Sequence, residues 1–182
     1  MNIHHLNIGM LHSLVGKNDG VSIVIDQTVN AMTEYLDVGL GNIFFLAAHS
    51  SPRFNAVTDE VFWHKNDVHK KIIRYFNDDP PEELDDEIHK KALYAKNVIK
   101  EWVNENEIDL IVAHNTSHPY NFITSVALGY YYEELREQGI IWPKQLVWWH
   151  DSYMERDAFK NPNNVIKKYM KYLPGTYVDG IA

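Results

Sequence analysis

Apolar residues in this chain come in two alternating patterns, short unbroken runs rich in β-branched side chains and longer stretches in which they recur every three or four positions. The first pattern predicts strands buried on both faces of a sheet, the second amphipathic helices packed against it. Residues 3–10 read as a first strand, with His4 and His5 near its start. A loop from Leu11 to Asp19 leaves through Gly16 and ends in Asn18-Asp19-Gly20. From Val21 the positions Val24, Ile25, Val29, Met32 and Leu36 keep helical spacing, with Asp19 or Ser22 as the cap and Gly39 and Gly41 as the stop. Residues 43–48 form the next strand, residues 57–64 a third, and residues 67–76 a short helix or an irregular excursion.

The acidic, proline-containing stretch from Asp78 to Glu83 breaks the pattern and suits the start of a helix over residues 82–104, buried along Leu84, Ile88, Ala95, Ile99 and Trp102. That helix leads into the strand around which the chain is organised. Residues 108–113 are apolar apart from Asp109 and break abruptly into His114-Asn115-Thr116-Ser117-His118-Pro119. A helix started by Pro119 carries Phe122, Ile123, Val126, Ala127, Tyr130 and Leu135 to a left-handed cap near Gln138-Gly139. Gly129 inside it marks a close approach, and Tyr130-Tyr131-Tyr132 read as core and rim. Residues 145–149 are a further strand ending in His150-Asp151-Ser152. Asn161-Pro162 opens a short helix that Pro174-Gly175 stops, and residues 177–182 begin another strand. Strand, helix and strand in succession predict right-handed parallel units and a doubly wound α/β fold in a single domain over residues 1–182. A last strand cut in mid-run suggests a piece of something longer.

The ligand crevice of such a sheet lies beyond the carboxyl ends of its strands, so His114 and His150 are the first candidates for chemistry. Asn115 adds donors and acceptors, and His118 is a further candidate. Asp151 either orients His150 or caps the next turn. The spacing of His114 and His118 would suit a metal on a helix, but the residues between them make a loop, and no metal is expected. His150-Asp151 as the metal pair of an all-helical phosphohydrolase conflicts with the strand it ends, and Ser117 lacks a nucleophile elbow. The loop Gly16-Lys17-Asn18-Asp19-Gly20 leads onto a helix amino terminus, where a phosphate or a sugar hydroxyl fits; it is neither a Walker sequence nor the full dinucleotide fingerprint.

Composition narrows this further. With 45% hydrophobic and 23% charged residues the chain is an ordinary globular one, and its formal charge of -8 argues against a sequence-independent grip on nucleic acid. The absence of cysteine excludes disulfides, zinc-thiolate sites and thiol nucleophiles. Neither a secretory leader nor an apolar run long enough to span a membrane is seen, so a cytoplasmic protein is expected; peripheral association with a membrane is compatible with that.

Taken in order, Gly9-Met10 with its glycine-containing loop, the strand end Asp109-Leu110-Ile111-Val112-Ala113-His114-Asn115 and the strand end Trp148-Trp149-His150-Asp151 resemble one family. They are similar to the amino-terminal domain of retaining GT-B-fold glycosyltransferases of the family 4 type. The resemblance implies a three-layer Rossmann-like domain with a mainly parallel twisted sheet and helices on both faces, one of two such domains facing a cleft. This one would be the acceptor side, and the nucleotide-sugar would sit mostly on a carboxyl-terminal domain that these residues do not contain. His114 matches the family histidine close to the donor sugar, which orients the sugar and does not attack it. Gly16 to Gly20, with Lys17 and Asp19, match the loop that approaches the donor diphosphate or the acceptor, and His150 matches a strand end on the acceptor side. The departure is Asp19-Gly20, where many members have paired glycines. The implied reaction transfers a sugar from a nucleoside-diphosphate donor to an acceptor hydroxyl with retention, the leaving phosphate acting as base, without metal or other cofactor. The family's paired glutamates belong to the second domain, so this chain alone is not expected to turn over. Other activities compatible with such a site are a nucleotide or sugar sensor of the same fold and a sugar-nucleotide hydrolase or epimerase.

Overall fold

The computed structural model describes residues 5–173 and 177–182. Its strands are β1 (Ile8–Leu11), β2 (Leu14–Val15), β3 (Ile43–Ala47), β4 (His49–Ser50), β5 (Ala56–Thr58), β6 (Leu110–His114), β7 (Lys144–Trp148) and β8 (Gly180–Ile181). Its α-helices are α1 (Gly20–Tyr35), α2 (Asp67–Arg74), α3 (Leu84–Glu105), α4 (Phe122–Glu137) and α5 (Asn164–Tyr169). Six strands form one sheet in the order β5-β3-β1-β6-β7-β8, and every pair is parallel. The order runs outward in both directions from β1, so the chain changes direction between β1 and β6, and the ligand crevice of such a sheet lies there, at the carboxyl ends. This is the doubly wound, Rossmann-like three-layer architecture that the alternation predicts.

Period-two alternation sorts the sheet residues between two cores. Ile8, Met10, Ile43, Phe45 and Val112 face α1 and its buried Ile25 and Val29, while Leu11, Leu46, Ile111 and Ala113 face the layer built from α2 to α5. Gly9 lies on the second face, where a Cβ would stand 2.4 Å from the Trp102 ring of α3. The glycine therefore lets α3 seat its largest side chain directly on β1.

Several boundaries differ from the sequence reading. β1 begins at Ile8 and ends at Leu11, and His4 lies outside the described residues. Helix α1 stops before Gly39 and Gly41, because Asp37 itself takes the left-handed turn (φ 53°) and the amides of Leu36 and Val38 both close on the Met32 carbonyl. The strand expected over residues 57–64 is reduced to β5, because the Asp59 carboxylate caps Val61 and turns the chain into a 3-10 turn over Glu60–Phe62. The proposed stop at Pro174-Gly175 lies outside the described residues.

Gly129 is the close approach expected of it. A Cβ there would lie 2.0 Å from the Tyr172 ring, which cannot swing aside because it is buried and its hydroxyl donates to Glu133 at 2.8 Å. Gly129→Ala is expected to destabilise the fold by about 1–3 kcal/mol despite the better helix propensity of alanine. Gly41→Ala, with open space around it, should stay within about 0.5 kcal/mol of the parent. Urea unfolding of the two variants checks this, and equal midpoints would contradict it.

Candidate functional site

The same alternation that builds the α1-side core places chemistry at its edge. Continuing Ile8 and Met10 by one step gives His12, and continuing Val112 gives His114. Residue His114 pairs in register with Trp148 of β7, and Leu11 with Ala113. His12, His114 and Trp148 thus emerge side by side on one face of three adjacent strands, at the point where the strand order reverses. The His114 ring stacks on Trp148 (5.6 Å between centroids, 11° between planes) and meets His12 edge-on at 6.3 Å. His150, just past β7, has its ring 5.5 Å from that of His114 with 25° between the planes and brings its Nε2 to 3.2 Å from His114 Nδ1.

His114 is not the exposed residue that a strand end suggests, since it is 1% accessible. The strand continues one residue further than expected, and two aromatic neighbours close over it. The half-buried imidazole in front of it is His150. Burial pushes the pKa of His114 down to about 3 and that of His12 down to about 4, the latter against the pull of Asp19 and of the His114 backbone, and burial lowers His150 too. All three rings are neutral at pH 7.

Neutral rings fix the direction of the bond between them. Each carries one N–H and one lone pair. His114 Nε2 is buried without a hydrogen-bond partner among the described residues. A bare lone pair there costs less than an orphaned N–H, so Nδ1 of His114 holds the hydrogen and donates it to His150 Nε2. The hydrogen of His150 must then sit on Nδ1, which faces the half-open crevice as a donor. His12 Nδ1 is also buried and unpartnered.

The loop between β1 and α1 forms the opposite wall. Gly16 adopts φ 64° and packs so closely on Phe54 and Ser51 that a Cβ would lie 2.5 Å from each, so glycine is required by the fold itself. A Cβ on Gly20 would meet nothing within 4 Å. Asp19 caps α1, its Oδ1 accepting from the amides of Val21 and Ser22 at 3.1 Å. Two of the amides that would hold an anion at this helix start are therefore already taken by a negative group. Lys17 is exposed at the loop tip.

The other candidates lock the crevice rim. Asn115 takes a left-handed conformation (φ 58°), which an asparagine tolerates, and its Oδ1 accepts from the Asp151 amide at 3.2 Å. Ser117 donates to the Asp151 carbonyl at 2.9 Å. His118 Nδ1 caps the turn by accepting from the Tyr120 amide at 3.1 Å, leaving Nε2 3.9 Å from the Asp151 carboxylate. Asp151 neither orients His150 nor caps the following turn; its carboxylate pairs with Arg156, which holds its pKa low. No group of three or more histidine or carboxylate side chains among the described residues is arranged to hold a metal ion.

Sequence reasoning missed His12, Ser13 and His64. With β1 taken to end at Met10, His12 falls inside a loop; one residue more and the rule that singled out His114 would have singled it out as well. Ser13 and His64 are joined across the crevice mouth, Oγ to Nδ1 at 3.0 Å, by a contact between positions far apart in sequence that no local pattern announces.

Comparison with known proteins adds one relationship. The mannosylglucosylglycerate synthase of Petrotoga mobilis is 27% identical over 187 aligned residues, which cover 93% of this chain and 38% of that protein. The two are distant homologues. The chain spans well under half the length of that relative. No family model matches the chain, and no solved structure does. No helix among the described residues is long and apolar enough to cross a membrane.

The buried imidazoles give the fold a pH dependence of known sign. His12, His114 and His69 of α2 (lowered to about 3) bind protons more weakly folded than unfolded, where the ordinary value is 6.5. Their contribution is complete above pH 6.5 and is lost as pH falls toward 4 and then 3, because the unfolded chain takes up protons first. Urea midpoints measured from pH 7.5 to 4.5 should decline once pH passes below 6.5. A flat profile would contradict the neutral, buried cluster.

Proposed function

We propose that this chain is the acceptor-side domain of a retaining GT-B glycosyltransferase, working with a nucleotide-sugar domain carried on sequence beyond these residues. The observation that carries the reading is the His12, His114 and His150 cluster at the switch point of a Rossmann-like sheet, facing a glycine-containing loop. The distant kinship with a sugar-transferring synthase supports it. The donors on offer are neutral: the His150 Nδ1 hydrogen, the Asn115 amide and the loop. Such groups orient hydroxyls, and at pH 7 none of them delivers a full proton.

In the reaction the bond between the anomeric carbon and the leaving diphosphate breaks, the acceptor oxygen bonds to that carbon on the same face, and its hydrogen passes to the departing phosphate oxygen. The domain contributes by holding the two reactants in line and excluding water. His150 donates from Nδ1 to a sugar oxygen, and His114 sets that tautomer from behind, so the family's histidine acts here through its neighbour. Asn115 and Asp151 keep the two strand ends at a fixed distance. Gly20 leaves room for the acceptor to pass close to the backbone, and Lys17 stands at the entrance. His118 supports the rim. No metal is needed by this chemistry, and a cytoplasmic setting, where nucleotide-sugars are made, fits it.

The test is a double-mutant cycle in the full-length enzyme. His114→Ala and His150→Ala should each lower kcat by about 10–100-fold, the loss of one oriented hydrogen bond in a dry site, and the double variant should be little worse than either. Multiplicative losses would show that the two rings act separately. Nuclear magnetic resonance of the product should show the donor's anomeric configuration retained, and an inverted product would exclude the proposed mechanism. Gly20→Ala should fold normally yet raise the acceptor KM; an unchanged KM would remove the loop from the acceptor path.

A further inference from the structure

Beside the crevice lies a second cavity of about 380 Å³, lined by His64, Lys65, Lys70, Ile73, Arg74 and Tyr120. Three cationic side chains line it, on a chain whose formal charge is -8. The cations at its wall are differently committed. Lys70 pairs with exposed Asp67 at 3.1 Å, but Lys65 and Arg74 meet no carboxylate among the described residues and lie instead over the rings of Trp63 and Tyr75. Ion pairing inside the protein therefore leaves two positive charges unspent around one opening. The walls between them are flat and apolar: Tyr120 stacks on His64 with 20° between the rings, and Ile73 completes the side.

This cavity borders the histidine crevice. His64 is hydrogen-bonded to Ser13, the residue after His12, through both its ring Nδ1 at 3.0 Å and its backbone amide at 3.3 Å. On the other side Tyr120 packs against His118 at 4.6 Å. The cavity and the histidine crevice are therefore separated by the joined Ser13 and His64 side chains. Asp19 already occupies the helix start across the crevice, so a negative group on the ligand is steered away from the loop and toward Lys65 and Arg74.

We propose that the acceptor is an anionic sugar or sugar-like alcohol whose carboxylate or phosphate is held by Lys65 and Arg74, with Tyr120 and His64 against its carbon skeleton and its reacting hydroxyl at His150. This rests on the transferase reading for the role of the ligand, but the binding itself does not. Arg74 supplies the forked donors that match either oxyanion, and Lys65 a second charge. The glycerate unit in the name of the Petrotoga mobilis relative is a carboxylate of this kind.

The experiment is a titration of the chain followed by ¹H–¹⁵N spectra, using D-glycerate, glycerol 3-phosphate and uncharged glycerol as probes. The two anions should shift the signals of residues around His64 and Tyr120, and glycerol should not. The tighter of the two anions identifies the group. The variant Lys65→Gln/Arg74→Gln changes exposed side chains only, so it should give the parent spectrum without ligand while binding the anions at least about tenfold more weakly. Binding unchanged in the variant, equal shifts with glycerol, or shifts elsewhere on the surface would overturn the proposal. Anion binding here without any sugar transfer by the full-length enzyme would sink the transferase reading and leave the cavity assigned. Transfer to an uncharged acceptor, unaffected by the variant, would do the reverse.

Discussion

A buried imidazole must place two nitrogens, one with a hydrogen and one without, and the candidate site follows from how the described residues meet that demand. His69 meets it completely: its Nε2 accepts from the Ile123 amide at 3.4 Å and its Nδ1 reaches Asn66 Oδ1 at 3.1 Å, so the ring ties α2 to the start of α4 and has nothing left for a ligand. His114 and His12 do not. Each keeps one buried nitrogen without a partner, at the place where a parallel sheet opens toward its ligand. Leaving polar groups unpaired in the interior costs stability, and such costs concentrate where function requires them. The contrast between His69 and the crevice histidines separates structural rings from candidate site rings within one fold, even though burial lowers the pKa of all of them.

The surroundings of the cluster divide the labour by charge. Asp19 closes the start of α1 with a negative group, Asp151 is neutralised by Arg156, and the crevice between them offers neutral donors and acceptors. Positive charge free for a ligand gathers one step away, at Lys65 and Arg74. On the proposal made above, such an arrangement would read hydroxyls in the centre and an anion at one end, the pattern a polyol acid or a sugar phosphate presents. In the transferase reading the diphosphate of the donor is then left to the other domain, consistent with the scarcity of free cations in the crevice itself.

Much of this was legible in the amino-acid sequence because burial on both faces leaves a strong mark. The runs at 43–48 and 108–113 could only be interior strands, and the helical spacing of Leu84, Ile88, Ala95, Ile99 and Trp102 fixed α3 to within a residue or two; all five are buried. Edge elements left weaker marks: β5 has only Ala56–Thr58, and one side chain, Asp59, decides where it stops. At the site the sequence identified the strand ends but not their depth. Whether His114 points into solvent or under a neighbour depends on its register with Trp148, a relation between distant parts of the chain. The single residue by which β1 outran its expected end was enough to hide His12. Asp151 offered two local roles, and a salt bridge with Arg156 replaced both.

The proposed site rests on neutral rings of defined tautomer at the carboxyl edge of the sheet. The most direct measurement is a long-range ¹H–¹⁵N correlation spectrum of the histidine rings at pH 7, recorded before and after adding a panel of nucleotide-sugars and acceptor sugars. Neutral rings are expected for His12, His114 and His150, with the hydrogen of His114 and of His150 on Nδ1, and shifts confined to these rings when a ligand binds. A protonated His114, a hydrogen on Nε2 of His150, or ligand-induced shifts that bypass all three rings would contradict this.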